Sequence, residues 1–591
     1  MTNFPGHNLF FLIGTAWRYA AGLRPRMILF YAMFLVANIV VSFQPVIFGA
    51  LINTAQKGGP EAMQRALWLA ALYGGLTVAF WMLHGPARLI ERRVAFDVSR
   101  AFIADYYRKV TELPLRWHQD HHSGGTINRI RKAEKALFTF AQLQFVPLQI
   151  IVRFIACTVM LAFYSLWVAA ASLMASAAIT LIIRRFDARL IPLVRQTNES
   201  EHFLSAALYD YIGNIVTVLT LRMQGNTGGE IASRYARIKA TFWREIDINE
   251  WKWFMINLLL VGVQAGITGA YVALHMAKGG ALALGSVVAI FQYLSLITMQ
   301  FFQGSITFEQ LLYQSIDVRG VEGIKADHAR LTLGQAREPA RVWRNIRVAN
   351  LVFTHNENDD KALHHLRNAG VAIEAGRKIA FIGQSGSGKS TFLTLLRGLY
   401  DAQSVDLSID GEVFTTLMPL SGFTTLVPQD SEIFENTVRY NLTLGIRMPQ
   451  EIVDQALAIS AFDEVVPKLP HGLDTDIRER GVNLSGGQKQ RLALARGIIA
   501  ARDSSLLLLD EPTSSVDMLT ESLIFERLFK AFPQKAVIAS VHRLHLLPRF
   551  DHIVMMRDGA VVEQGEFSEL LARQGEFARL WLDHLAQVDL N

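Results

Sequence analysis

The chain has 591 residues, 51% of them hydrophobic and only 19% charged, with a formal net charge of +6. That length exceeds one ordinary domain, and the charge content falls below the about 25% of a soluble protein, so part of the chain belongs in lipid. The single cysteine, Cys157, excludes an intrachain disulfide and a zinc cluster. The basic excess lies beside apolar runs, as a membrane protein requires, which argues against nucleic acid as a partner.

Residues 1–26 lack the charged start, apolar core and small-residue cleavage site of a signal peptide. Their aromatics, with Arg18, Arg24 and Arg26, fit an amphipathic helix lying on the inner surface of a membrane. A bilayer core of about 30 Å takes roughly 20 apolar helical residues. Six stretches qualify, at approximately 27–52, 66–87, 136–163, 166–183, 253–277 and 279–308. The run 136–183 is too long for one span and should turn near Tyr164-Ser165. Pro45, Pro86 and Pro147 are tolerable kinks. The long connections 88–135 and 184–250 are rich in arginine and lysine, whereas the others hold Lys57, Arg65 and Lys278. Both long loops and both termini should therefore face the cytosol. Within the spans, Asn38, Gln44, Gln264, Gln292, Gln300 and Gln303 are polar groups that fit a substrate cavity. Arg153 is a charge inside an apolar run, which marks a functional candidate; a buried or snorkelling structural arginine is the competing reading. His118, His121 and His122 cluster in the first loop, where, with no matching Cys or carboxylate set nearby, a polar cytosolic bend explains them better than a metal site.

From Val342 the pattern changes to short strands and polar turns, after a linker at 326–340. Lys378–Ile382 is a buried strand that runs into Gly383-Gln384-Ser385-Gly386-Ser387-Gly388-Lys389-Ser390-Thr391, a glycine loop opening a helix. This is the P-loop arrangement, in which backbone N–H groups cradle phosphates, Lys389 reaches the β- and γ-phosphates and Ser390 supplies a hydroxyl to Mg²⁺. Leu506–Leu509 is an apolar strand ending in Asp510 and Glu511. Asp510 should hold the Mg²⁺ shell, and Glu511 should polarise the attacking water as general base.

Leu484-Ser485-Gly486-Gly487-Gln488, downstream of that P-loop, resembles the signature of ATP-binding cassette (ABC) ATPases without change. The resemblance extends over nearly the whole chain, most specifically 351–566. It implies an all-α six-helix transmembrane domain with long cytosolic helical extensions (1–325), followed by an α/β P-loop ABC ATPase domain (341–591), in the manner of exporter-type half-transporters. Gln429 matches the family's Q-loop, Asp517 its D-loop and His542 its H-loop. Glu479 lies in an exporter-type segment. His355 stands where the family usually places an aromatic that stacks on adenine. Residues 123–129 and 205–219, the latter with Tyr209 and Tyr211, look like the segments that couple the membrane helices to the ATPase. The family clamps ATP between the P-loop of one ATPase and Ser485, Gly487 and Gln488 of another, which implies a homodimer with ATP and Mg²⁺ in a bacterial inner (plasma) membrane. The solute is amphiphilic or polar, such as a lipid, glycan, peptide or drug, moved outward. An importer on the same fold and a non-transporting regulatory ATPase are the alternatives.

Overall fold

The computed structural model describes residues 5–121, 123–277, 282–331, 342–354, 365–477 and 484–588. The chain divides into two units, one comprising residues 1–111 and 123–326 and the other 112–122 and 327–591.

The first unit is helical: α1 (Pro5–Tyr19), α2 (Arg24–Val41), α3 (Gln44–Lys57), α4 (Pro60–Thr111), then α6 (Ser123–Ala141), α7 (Phe145–Tyr164), α8 (Leu166–Gly213), α9 (Ile215–Thr220), α10 (Gln224–Ala277), α11 (Leu284–Arg319) and the start of α12 (Glu322–Leu331). The short α5 (Leu115–Asp120) belongs to the second unit. Among the described residues, six helical segments are long and apolar enough to cross a membrane: Ala21–Lys57, Pro60–Thr111, Gly124–Tyr164, Leu166–Val194, Gln224–Ala277 and Leu284–Leu331.

Proline decides where these helices break. The first span is interrupted at Ser42-Phe43, because Pro45 in the first turn of α3 lacks an N–H and its ring opposes the carbonyl of Val41. Pro86 and Pro192 stay inside α4 and α8. The break before α7 is closed by side chains of α4. Glu91 Oε1 accepts the Phe145 backbone N–H at 3.0 Å, and Arg88 donates to the Gln142 carbonyl. A carboxylate at a helix N-terminus meets unpaired N–H groups and the positive end of the dipole.

The glycine run at 123–125 opens the long helix α6 and is not itself the short element. The short helices are α5 and α9, and Tyr209 and Tyr211 ride on the end of α8. His121 stacks on Trp117 with ring centroids 4.3 Å apart, a packing role for that imidazole.

In the second unit β1 (Asn345–Phe353), β2 (Leu366–Glu374), β4 (Ser404–Ile409) and β5 (Glu412–Phe414) make an antiparallel sheet ordered β2-β1-β4-β5. The central sheet contains β3 (Lys378–Ile382), β6 (Thr424–Val427), β9 (Leu506–Asp510), β10 (Ala536–Ser540), β11 (His552–Arg557) and β12 (Ala560–Gly565), ordered β12-β11-β3-β10-β9-β6. All its pairings are parallel except β11 with β12. A minor pair, β7 (Asn436–Thr437) with β8 (Asp476–Ile477), lies apart. The helices are α13 (Lys389–Leu396), α14 (Val438–Thr443), α15 (Gln450–Ile459), α16 (Gly486–Ala500), α17 (Met518–Ala531), α18 (Phe567–Ala572) and α19 (Glu576–Val588).

Strands β3, β9 and β10 are buried at every position. Leu507, Leu509, Val537 and Ala539 face one apolar core, and Leu506, Leu508, Ala536 and Ile538 face the other. Burial on both faces is why these strands read as unbroken apolar runs. The mostly helical first unit and the α/β second unit bear out the expected fold class.

The approach of α3 to α11 sets one joint of the membrane unit. A Cβ on Gly285 would collide with the Gly49 carbonyl, so only glycine admits this contact. Asn53 Oδ1 also accepts the Gly285 N–H at 2.7 Å, covering one of the free donors at the start of α11. Gly285→Val should overpack the joint by about 2–3 kcal/mol and lower the melting temperature of the purified full chain by about 5–10 °C. An unchanged melting temperature would show that the joint is not tight.

Candidate active site

Parallel strands in one sheet deliver their C-terminal ends to one edge, and loops leaving that edge form the site. Ser540 on β10 is level with Phe381 on β3 and with Asp510 on β9, and Val427 on β6 is level with Leu509. The four loops that follow carry Gly383–Lys389, His542, Glu511 and Gln429. Residues up to 160 positions apart in sequence therefore meet because of strand order alone.

The glycine loop is wound around its own lysine. Lys389 Nζ donates to the carbonyls of Gly383 at 2.8 Å and Gln384 at 3.1 Å. Burial pulls its pKa below the ordinary lysine value, against the opposing pull of Glu511 and Asp510. Gly388 caps α13 at φ 100°, and a Cβ there would press on Leu366 and the His365 carbonyl. Gln384, Ser385 and Gly386 are exposed at the loop crest. Ser387 Oγ is buried and makes no hydrogen bond. Thr391 lies in the first turn of α13, where its carbonyl accepts from Thr394.

Ser390 Oγ donates to Asp510 Oδ1 at 3.0 Å. Burial is the main influence on Asp510 and raises its pKa above the usual carboxylate value, with the Ser390 bond working the other way. Glu511 sits at φ 46°, a left-handed conformation uncommon outside glycine and of the kind found at functional sites. Its Oε2 accepts from Gln429 Nε2 at 3.0 Å, and its Oε1 is bonded by His542 Nε2. Serine hydroxyl, carboxylate and glutamine amide are oxygen donors of the kind Mg²⁺ selects. The buried Asp510 carboxylate is a group that a cation would relieve.

The signature forms a capping box at the start of α16. Gln488 N donates to Ser485 Oγ at 3.3 Å, and Ser485 N donates to Gln488 Oε1 at 2.9 Å. The Ser485 hydroxyl proton remains available to an anion, beside the positive end of the helix. Gly486 and Gly487 lie against Ser515, and a Cβ on Gly487 would come within 2.8 Å of the Ser515 carbonyl. Gln490, one turn on and buried, bonds Ser514 Oγ at 2.6 Å and the Ser515 N–H at 2.7 Å. Asp517 Oδ1 caps α17 through the Thr520 N–H at 2.9 Å. Glu521 takes Thr513 Oγ1 at 2.6 Å and Arg543 Nη1 at 3.1 Å. The segment after Glu511 is thus tied both to the signature and to the residue after His542. Gln490, Glu521 and Arg543 were not singled out in sequence; for Gln490 and Glu521 the signal is a polar group on the buried face of a helix, whereas Arg543 lies in the loop after β10 and carries no such signal. His355 and Glu479 lie outside the described residues.

Among the polar residues chosen from the membrane spans, Arg153 and Asn38 meet. Arg153 Nε donates to buried Asn38 Oδ1 at 2.9 Å, and its guanidinium lies 5.8 Å from the Phe80 ring centroid. Gln44 bonds Thr77 at 2.8 Å, and Gln264 bonds Ser295. Gln292 is half-buried. Gln300 alone of this set lines the large cavity of about 1010 Å³ bounded by α7, α8 and α11.

Residues 27–301 match the family described as ABC transporter transmembrane region, and residues 366–514 match the family described as ABC transporter. A multidrug export ATP-binding/permease protein of Staphylococcus aureus (strain bovine RF122 / ET3-1) is 28% identical over 520 residues, covering 85% of this chain and 87% of that protein. The protein of that name from strain NCTC 8325 / PS 47 has the same identity and coverage. The solved structure of a bacterial Atm1-family ABC exporter with ATP bound superposes with a TM-score of 0.79 at 25% identity, covering 95% of this chain and 99% of that one. These matches span both units, and the chain belongs to the ABC transporters, as an exporter-type half-transporter that joins its membrane region and its ATPase in one polypeptide and couples ATP hydrolysis to transport.

Proposed function

We propose that two copies of this chain form a symmetric homodimer in a bacterial inner (plasma) membrane and move an amphiphilic or polar solute outward by alternating access. The membrane domain (1–325), linker (326–340) and ATPase domain (341–591) then act in sequence, with the ATPase and both termini in the cytosol. The observation that carries this reading is the gathering of Lys389, Ser390, Asp510, Glu511, Gln429 and His542 at one sheet edge, while the chain's one signature caps itself and packs on Ser515. A P-loop that needs an opposing signature finds it on a second chain, and two identical chains supply two complete sites.

In this site the glycine loop and Lys389 bind the phosphates, with Ser387 Oγ as a further donor. Ser390, Asp510 and Gln429 would hold Mg²⁺, which neutralises phosphate charge when bound. Glu511 accepts the proton of the attacking water. Its two oxygens are oriented by Gln429 and His542, and each keeps a lone pair with which to engage the water. His542 offers an imidazole to the γ-phosphate. Ser485, Gly486, Gly487 and Gln488 of the facing chain, with Asp517, close the site, and the family resemblance gives His355 the role of stacking on adenine.

Glu511→Gln keeps the shape of the side chain but removes the base. It should retain ATP binding and lower hydrolysis at least about 100-fold, leaving a closed dimer. Single-turnover hydrolysis near the wild-type rate would take the base role away from Glu511.

A mixed dimer carrying one Ser485→Glu chain should lose one of its two sites, while the altered chain's own P-loop still binds nucleotide. Loss of nucleotide at the altered chain's own P-loop, read by photo-crosslinking, would contradict a site shared between chains.

Asp510 is held above its unfolded pKa, so its ionised form costs the fold stability. That cost is absent below the unfolded value, grows as pH rises toward the folded value, and is complete above it. Asp510→Asn should therefore raise the nucleotide-free melting temperature at neutral pH by about 2–5 °C while nearly abolishing hydrolysis. A lower melting temperature would mean the carboxylate is stabilising without its ligand.

A further inference from the structure

The cavity between α7, α8 and α11 carries information about the solute. Resting on the transporter reading above, we propose that it takes a long-chain anionic amphiphile with a hydroxyl or amide N–H close to its head group, and that Gln300 and Arg184 select it.

The shape argues for a chain. The cavity wall follows α8 from Leu173 to Ile191, about 27 Å at 1.5 Å per residue, close to the roughly 30 Å of a bilayer core. Its surface is mainly apolar, with Ile151, Phe154, Leu173, Ile183, Phe301 and Phe308 among its lining. A compact solute would leave much of that length in contact with water, whereas an extended acyl chain covers it.

Among the polar groups of the wall, two bear on the choice of solute. Gln300 is 2% exposed; its Nε2 reaches the Leu296 carbonyl of its own helix at 3.4 Å, and its Oε1 has no partner. A buried amide oxygen without a donor is costly. Gln300 belongs to the cavity wall, so turning its amide toward the cavity lets a donor from the solute remove the cost. The charged residues on the wall are Arg184 and Asp187. Asp187 Oδ1 is already matched by Lys252 Nζ at 3.2 Å, and Lys252 is 2% exposed. Glu309 borders the smaller neighbouring pocket instead. The surplus charge of the cavity is therefore the cation of Arg184, which is exposed at its mouth. Phe301 packs level with Ile179 and Ile183, and Ser305 shares the neighbouring pocket with Asp187. Gln300 thus sits about one to two helical turns, roughly 5–11 Å, deeper than the charge. An anionic group on Arg184 then places a nearby hydroxyl or amide against Gln300, with the chain extending beyond it.

The test uses the full-length dimer in phosphatidylcholine discs and reads stimulation of ATP hydrolysis. The probes are lysophosphatidylglycerol and lysophosphatidylcholine of one chain length. Half-stimulation by the anionic probe should need at least about tenfold less amphiphile, a difference of about 1.4 kcal/mol. Arg184→Gln should erase that preference and Arg184→Lys should keep most of it. Gln300→Leu should raise the half-stimulating concentration of both probes about 3- to 10-fold, as loss of one hydrogen bond does. Equal response to the two probes in the wild type, or an unaltered preference in Arg184→Gln, would overturn the proposal. The arginine arm decides alone if the Gln300 variant does not fold. A wild-type dimer that hydrolyses no ATP under any condition would overturn the transporter reading itself, and this proposal with it.

Discussion

Four strands, β3, β10, β9 and β6, run parallel, the first three buried at every position, and the working parts of the molecule depend on that constraint. Once the apolar runs 378–382 and 506–509 can satisfy themselves only between two cores, their polar successors have one place to go. Lys389, Asp510, Glu511, Gln429 and His542 emerge at a common edge, where Gln429 and His542 bond Glu511 and Ser390 bonds Asp510. Function is then free to use residues that are poor for stability. Asp510 is a carboxylate in a desolvated position, and Glu511 occupies a left-handed backbone conformation. The surrounding sheet makes both tolerable.

The signature shows the same economy at a helix end. Ser485 and Gln488 satisfy each other's backbone groups, so α16 is stable before any nucleotide arrives. The glycines between them are required by the Ser515 backbone that lies against them. Gln490 fastens α16 to Ser514 and Ser515, and Glu521 joins Thr513 to Arg543. A displacement of the signature is thereby transmitted to the segment that begins with Glu511. This gives a physical route by which closure of one chain on another reaches the group that handles water.

The sequence was most legible where chemistry is contiguous. A strand entering a glycine loop, and an apolar strand ending in two acids, each declare their structure and their role within ten residues. Legibility failed where the decision is tertiary. Gln264 and Gln300 look alike in sequence, yet Gln264 meets Ser295 across a helix pair and Gln300 keeps an unpartnered oxygen on a cavity wall. Arg153 stood out as a charge in an apolar run but is engaged by Asn38, while Arg184, counted only as one of many loop bases, reaches the cavity. The first span, read with Pro45 as a kink, is one apolar stretch whose helix is interrupted at Ser42-Phe43, just ahead of that proline. The short helix α5 precedes the run 123–129 expected to couple, while α9 overlaps the end of the expected segment 205–219.

The central claim is that hydrolysis belongs to a site completed by two chains. Its most direct test compares ATP turnover per chain in lipid discs loaded with one copy and in discs loaded with two, at equal nucleotide and Mg²⁺. The account predicts Mg²⁺-dependent turnover in the two-copy discs and almost none in the single-copy discs. Equal turnover per chain in both would contradict it.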